Sequence, residues 1–153
     1  MSSDPTTALA RKLGIDEGDR IQLYDEPEDF RSTLGELPEG VDVVPERARN
    51  LDMAIVFSKR AADLRFDLSH VSGRLTEEGH LWVAWPKRAS ELETDLSFDV
   101  VQKIGMKLGM VDSRVCSLGP HWSGLRFQRR RDPKSDYAPM WPAPIDGGED
   151  ETP

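Results

Sequence analysis

The sequence predicts an α/β fold: a three-layer sandwich with a mainly parallel sheet that is closed by a C-terminal antiparallel hairpin. Segments of strand length alternate along the chain with segments whose apolar residues recur every three or four positions. Within two of the strand segments, 51–57 and 80–85, residues 53–57 and 81–85 are apolar without alternation, which is typical of strands buried on both faces. Right-handed crossovers then place helices on both faces of the sheet, giving a Rossmann-like architecture.

The composition indicates one domain and excludes several classes of protein. The chain has 153 residues, a formal net charge of −8, one cysteine and three histidines. We expect no metal site, because so few sulfur and imidazole ligands cannot form a cluster. We also expect no bound cofactor. No apolar run is long enough to cross a bilayer, and the N-terminus lacks the pattern of a signal peptide, so we expect a cytoplasmic protein without membrane contacts.

The charge divides the chain into a domain over residues 1–131 and an acidic tail over residues 132–153. The tail holds six acidic residues against Lys134 alone, together with five of the eleven prolines. Such a composition predicts disorder, because it buries too little apolar surface to offset the entropy of ordering. The alternative is that Met140 and Trp141 form a short docking motif within the tail.

The first half of the domain is predicted to contain two helices and three strands. Asp4 and Pro5 are suited to begin a helix over 5–13, and Gly14 is suited to end it. The elements that follow are a strand over 20–24, a helix over 28–37, a strand over 41–44 and a strand over 51–57.

The second half is predicted to contain two longer helices and three strands. A helix over 60–75 has Ser58 available as its cap, and Gly79 is expected to open the next strand. Thr94 or Ser97 starts a further helix that Gly109 ends. The predicted strands are 80–85, 110–118 and 122–130, and the last two form the hairpin.

One string of residues carries a resemblance to a known family. Residues 79–87 read Gly-His-Leu-Trp-Val-Ala-Trp-Pro-Lys, and Trp122-Ser-Gly-Leu-Arg-Phe127 follows later. These segments resemble a small bacterial family known only as a domain of unknown function, over roughly residues 8–131. The order of elements is similar to the later part of a class I methyltransferase. The resemblance implies a fold and no established activity.

In open α/β sheets, ligands bind beyond the carboxyl ends of the strands where the strand order reverses. Lys87 is the leading candidate at this edge, because its charge suits a small anion or a carboxylate of a partner protein. Trp122 is either an aromatic platform or a packed ring. The candidate binding residues are Tyr24, Asp25, Ser58, Lys87, Ser90, Thr94, Asp95, Trp122 and Arg126.

The leading functional hypothesis is a non-catalytic binding or regulatory module that contacts a protein or a small anionic ligand. An alternative is a divergent S-adenosylmethionine-dependent enzyme with Glu46 near the ribose. However, residues 24–30 lack the glycine-rich turn that lets a backbone approach such a ligand, and contain four carboxylates instead. These carboxylates are better explained as a solvated helix start than as a metal site.

Three further features complete the sequence-based expectations. A cluster of arginines at positions 126, 129, 130 and 131 raises a second alternative, nucleic-acid binding, which the overall negative charge opposes. Cys116 is expected to be a small buried thiol without a catalytic role. Trp82 and Trp85 are expected to face opposite sides of the sheet.

Overall fold

The computed structural model describes residues 7–130, and these form four α-helices and a six-stranded sheet. The helices are α1 (Ala8–Leu13), α2 (Phe30–Leu34), α3 (Ala61–Val71) and α4 (Phe98–Lys107). The strands are β1 (Arg20–Tyr24), β2 (Asp42–Val43), β3 (Leu51–Phe57), β4 (Leu75–Pro86), β5 (Met110–Ser117) and β6 (Trp122–Arg129).

The sheet has the strand order β2-β1-β3-β4-β6-β5. The first four strands in this order are parallel, and β6 runs antiparallel to both β4 and β5. From β1 the chain moves outward to β2 and then returns to place β3 on the other side of β1. The predicted α/β sandwich with a mainly parallel sheet and a closing hairpin is therefore confirmed.

Two apolar cores lie on opposite faces of this sheet. In β3, Ala54 and Val56 pack with α3 and α4, while Met53 and Ile55 pack with α1 and α2. The prediction that β3 is buried on both faces is confirmed. Trp82 and Trp85 of β4 belong to different cores, as their spacing of three predicts.

Several predicted boundaries differ from those in the structure. Helix α1 begins at Ala8, and the Thr7 hydroxyl accepts a hydrogen bond from the amide of Ala10. Asp4 and Pro5, the predicted start of this helix, lie outside the described residues, as does the tail 132–153. Helix α2 is half the predicted length because Gly35, at φ +72°, ends it. Ser97 caps α4, as predicted.

Strand β4 begins four residues before Gly79, where the sequence predicts helix. A 3-10 turn over Ser72–Arg74 ends α3 early, and Leu75 already pairs with Leu51. The register then slips, so that Met53 pairs with His80. A β-carbon on Gly79 would lie 2.8 Å from the carbonyl oxygen of Leu51. Gly79 therefore permits close approach of β3 at a bulge and does not open the strand.

The prediction that Ser58 caps α3 is wrong. Its hydroxyl donates to the carbonyl oxygen of Arg60 at 3.2 Å. The amide of Ala61 instead donates to Asp95 Oδ1 at 2.7 Å. Asp95, which follows β4, thus caps helix α3, which precedes β4. Among the described residues, no helix has the length and apolar composition required to cross a membrane.

Candidate functional site

A cavity opens at the carboxyl ends of β1 and β3, where the strand order reverses. Its volume is about 560 Å³, within the range of small-molecule sites. In open α/β sheets, such a crevice forms where the connections that leave two neighbouring parallel strands run in opposite directions. The lining residues are Asp25, Phe57, Ser58, Lys59, Arg60, Asp63, Asp67, Glu93 and Trp122.

One wall of the cavity is aromatic and rigid. The Trp122 ring meets the edge of Phe57 at 5.2 Å between centroids, with the planes at 84°. Phe57 in turn packs against Phe30 at 4.8 Å. Phe30 and Phe57 are buried, so this ladder fixes the position of the partly exposed indole. Trp122 is both packed and available to stack on a planar ligand.

The loop after β1 forms a second wall without glycine. Asp25 follows the strand directly and has φ +59°, a left-handed conformation that aspartate tolerates better than most residues. The loop then passes through Pro27 to α2, which is only five residues long. Asp25 thus provides the sharp turn that glycine usually supplies, although its carboxylate occupies space that glycine would leave open.

The floor of the cavity along α3 is acidic. Asp63 is exposed and Asp67 is half-buried, one turn apart on the helix. Burial raises the pKa of Asp67, and the negative charges of Asp25 and Asp63 raise it further. Burial also raises the pKa of Tyr24, with Asp67 as the strongest charged contributor. Crowded carboxylates of this kind favour a positively charged group in the cavity.

Two cationic residues, Lys59 and Arg60, also line the cavity. Lys59 and Arg60 follow β3, and an Arg60 guanidinium nitrogen lies 3.8 Å from Glu93 Oε1. Both partners of this pair are largely exposed, so it stabilises the fold little. The cavity therefore presents both carboxylates and cations, a combination suited to a zwitterion or a cation that carries a carboxylate.

Several predicted binding residues instead hold loops together. Thr94 Oγ1 donates to the carbonyl oxygen of Lys59 at 2.7 Å, and Asp95 caps α3. Ser90 Oγ donates to the carbonyl oxygen of Lys87 at 2.7 Å. Lys87 Nζ donates to Ser117 Oγ at 2.8 Å, so it faces the hairpin and does not line the cavity. These contacts fix the cavity's surroundings without placing the side chains within it.

The remaining predicted residues divide between the cavity and the sheet. Asp25, Ser58 and Trp122 line the cavity, and Tyr24 lies beside it at the end of β1. Arg126 lies in the middle of β6, where it pairs with Trp82 and is remote from the cavity. Cys116 is only partly buried, and this burial raises the pKa of its thiol.

The sequence analysis missed Asp63 and Asp67. Both carboxylates belong to the polar side of an amphipathic helix, where charged residues are usually just solvated. The available sequence signal was the spacing of four residues between Asp63 and Asp67, because the start of the helix that follows β3 faces the strand ends. Glu93 was missed because no periodicity applies in the loop before α4. Among the described residues, no group of three histidine, cysteine or acidic side chains is arranged to hold a metal ion.

Comparisons with solved structures identify the fold. Magnesium protoporphyrin IX methyltransferase (ChlM) from Synechocystis PCC 6803, with bound SAM, is 9% identical with a TM-score of 0.52, over 80% of this chain and 74% of that one. DhpI in complex with SAH is 13% identical with a TM-score of 0.55, over 80% and 82%. Ribosomal protein L11 methylase from Lactobacillus delbrueckii subsp. bulgaricus is 9% identical with a TM-score of 0.50, over 80% and 75%.

The chain therefore has the Rossmann-like fold of class I methyltransferases. This confirms the methyltransferase-like fold that the order of sequence elements implied. At these low identities the similarity defines architecture alone. No family model matches the chain, and neither does any curated protein.

Proposed function

We propose that this protein is a divergent methyltransferase-like protein that binds S-adenosylmethionine, or a closely related sulfonium nucleoside, in the strand-end cavity. The observation that carries the proposal is the place of the cavity, at the reversal of strand order between β1 and β3. Similar folds hold SAM or SAH. When bound, such a ligand supplies an electrophilic methyl group.

The side chains of the cavity fit this class of ligand. The indole of Trp122 offers a face for a purine, and Asp25 and Asp67 oppose a positive charge. Lys59 and Arg60 suit the carboxylate of an amino-acid moiety. The acidic floor disfavours the small anion that the sequence analysis put first. The expected cytoplasmic location remains part of the proposal.

A non-catalytic binding module is the competing candidate. The observation that favours it is the loop after β1, which lacks glycine and places the Asp25 carboxylate beside the cavity. A loop of this kind restricts the approach of the backbone to a ligand. In this case the same edge contacts a partner protein and no nucleoside enters.

Calorimetric titration of the purified protein with S-adenosylmethionine and with its demethylated product separates the two candidates. Saturable binding with one site supports the proposal. Absence of heat with both compounds, for a protein shown to be folded by circular dichroism, contradicts it. Affinity capture with the wild-type chain would then test the partner-binding module.

The variant Asp67→Asn tests whether the Asp67 carboxylate opposes the positive charge of the bound ligand. We expect its affinity for S-adenosylmethionine to fall about tenfold, which is about 1.4 kcal/mol, because an opposing charge is lost. The demethylated product, whose thioether sulfur carries no charge, should lose less than about threefold. Glu77→Gln is the matched control, because Glu77 is exposed and lies near the amino end of β4. Equal losses for both ligands would exclude a sulfonium partner for Asp67.

A further inference from the structure

The hairpin of β5 and β6 carries Arg114 and Arg126 on the face that lies on the α1 side of the sheet. Helix α4 packs on the opposite face, where Gln102 donates to Asp112. On the first face, Arg126 pairs across the sheet with Trp82 and also with Arg114 of β5. Helix α1 lies on this side but ends over β4, where Trp82 donates to the carbonyl oxygen of Leu13.

This face of the hairpin is cationic, and neither Arg114 nor Arg126 forms an ion pair within residues 7–130. Arg114 is exposed, and Arg126 has a buried Nε without a hydrogen-bond partner. Burial lowers the pKa of Arg126, and the nearby charge of Arg114 lowers it further. No carboxylate of the described chain forms an ion pair with either guanidinium. Lys12 of α1 adds a third charge close to Cys116. We call Lys12, Arg114 and Arg126 the hairpin patch.

An anionic segment of the same chain starts next to this patch. Strand β6 ends at Arg129, and the sequence continues into 132–151, which has six acidic residues and one lysine. At about 3.3 Å per residue of strand, Arg126 lies only about 13 Å from Arg130. A tether this short gives an acidic segment a high effective concentration at the patch.

We propose that the acidic segment 132–151 docks on the hairpin patch of its own chain. Asp132 and Asp136 are the first carboxylates within reach of Arg126 and Arg114. Trp141 brings an indole face that suits a guanidinium. The segment then competes with any other polyanion, nucleic acid included, for the same arginines.

The sole cysteine of the sequence makes this contact measurable in the full chain. Cys116 lies on the same face of the hairpin as Arg114, where it pairs with Gly124 and is partly buried. A nitroxide attached to Cys116 broadens the amide resonances of residues that approach it. We expect strong broadening within 132–151 at low salt and at least about a threefold decrease at 0.5 M salt, because the Debye length then falls to a few ångströms.

Two variants and one matched control test the charges. Arg114→Gln removes an exposed cation of the patch, and Asp132→Asn combined with Asp136→Asn removes the opposing carboxylates. Each should reduce the broadening at least about threefold. Lys103→Gln removes one exposed cation from α4, on the opposite face, and should leave the broadening unchanged. Chemical shifts of the unlabelled chain should respond to the same variants.

Two results would overturn the proposal. One is broadening that does not differ among wild type, Arg114→Gln and Lys103→Gln. The other is a single-stranded oligonucleotide that binds through Arg114 with the same affinity whether or not Asp132 and Asp136 are neutralised. The second result would assign the patch to nucleic acid and leave the acidic segment unbound.

Discussion

At the scale of single residues, one carbonyl oxygen joins α1 to the sheet. The oxygen of Leu13 accepts the Trp82 indole N–H at 3.0 Å and lies 3.1 Å from His80 Nε2. A carbonyl only accepts, so this contact requires His80 to carry its proton on Nε2. Both side chains are buried, so leaving the carbonyl without them would be costly.

His80 makes the stability of the fold depend on pH. Burial lowers the pKa of His80, and the charge of Arg126 lowers it further. The unfolded chain therefore binds this proton first as the pH falls through about 6.5. The stabilisation by neutral His80 is fully present above that pH and is lost as the pH falls towards the folded-state pKa. We expect the free energy of unfolding to decrease between pH 7 and pH 5.

The variant His80→Gln isolates the contribution of His80 to the pH dependence of stability. Glutamine keeps an N–H donor for the Leu13 carbonyl but does not titrate. Urea denaturation at several pH values should therefore show a smaller decrease in stability for the variant than for the wild type between pH 7 and pH 5. Parallel pH profiles for the two proteins would show that other groups cause the dependence.

At the scale of elements, the structure separates what a sequence pattern can predict from what it cannot. Strand β3 and the hairpin were predicted from local apolar patterns, which depend on residues within one element. The cap of α3 by Asp95 joins residues 34 positions apart, and only the folded chain brings them together. For the acidic floor of the cavity the sequence offers only the spacing of Asp63 and Asp67, and their proximity to Asp25 arises only in the folded chain.

Asp95 is expected to stabilise helix α3. Asp95→Ala leaves the amide of Ala61 without its acceptor and should cost about 1 kcal/mol of stability, as loss of a helix cap typically does. Asp95→Asn keeps a side-chain oxygen and should cost less than half as much. Denaturant titrations of the three proteins measure this difference. If alanine and asparagine were equivalent, the hydrogen bond would contribute nothing.

Gly105 is expected to set the distance between α4 and β6. A β-carbon there would lie 2.2 Å from the nearest ring atom of Phe127, which is fully buried. Gly105→Ala should therefore destabilise the fold by about 2–3 kcal/mol through overpacking. Gly73→Ala is the control, because nothing lies within 4 Å of its position, and it should be nearly neutral. A smaller side chain at 127 should rescue the first variant, and thermal unfolding measures all three.

At the scale of the whole molecule, the cavity and the hairpin patch lie at different places on the sheet. The carboxylates of Asp25, Asp63 and Asp67 line the cavity at the strand ends together with Lys59 and Arg60, while the hairpin patch lies beyond β4 on the α1 side. The cavity lies at the end of β3, and β4 separates β3 from the hairpin that carries Arg114 and Arg126. A cationic ligand and an anionic segment can therefore occupy the chain together without competing for one surface.

Strand β3, which contributes side chains to both cores, also determines how the fold unfolds. Successive residues of β3 belong alternately to the two cores. If one core is lost, the other therefore loses the ordered strand against which it packs. Leu13→Ala in one core and Leu68→Ala in the other should each lower stability by about 2–5 kcal/mol, with one cooperative transition in both cases. Phe66→Ala, at a side chain 64% exposed on α3, is the control and should change stability by less than about 0.5 kcal/mol.

Two probes distinguish a single transition from a sequential one. Tryptophan fluorescence reports on both cores, because Trp82 lies in one and Trp85 in the other, and far-ultraviolet circular dichroism reports on the helices. If the sheet couples the cores, the two signals have the same midpoint in wild type and in both leucine variants. Midpoints that separate only in Leu13→Ala would mean that α1 and its core unfold first, leaving α3, α4 and their core folded on the sheet.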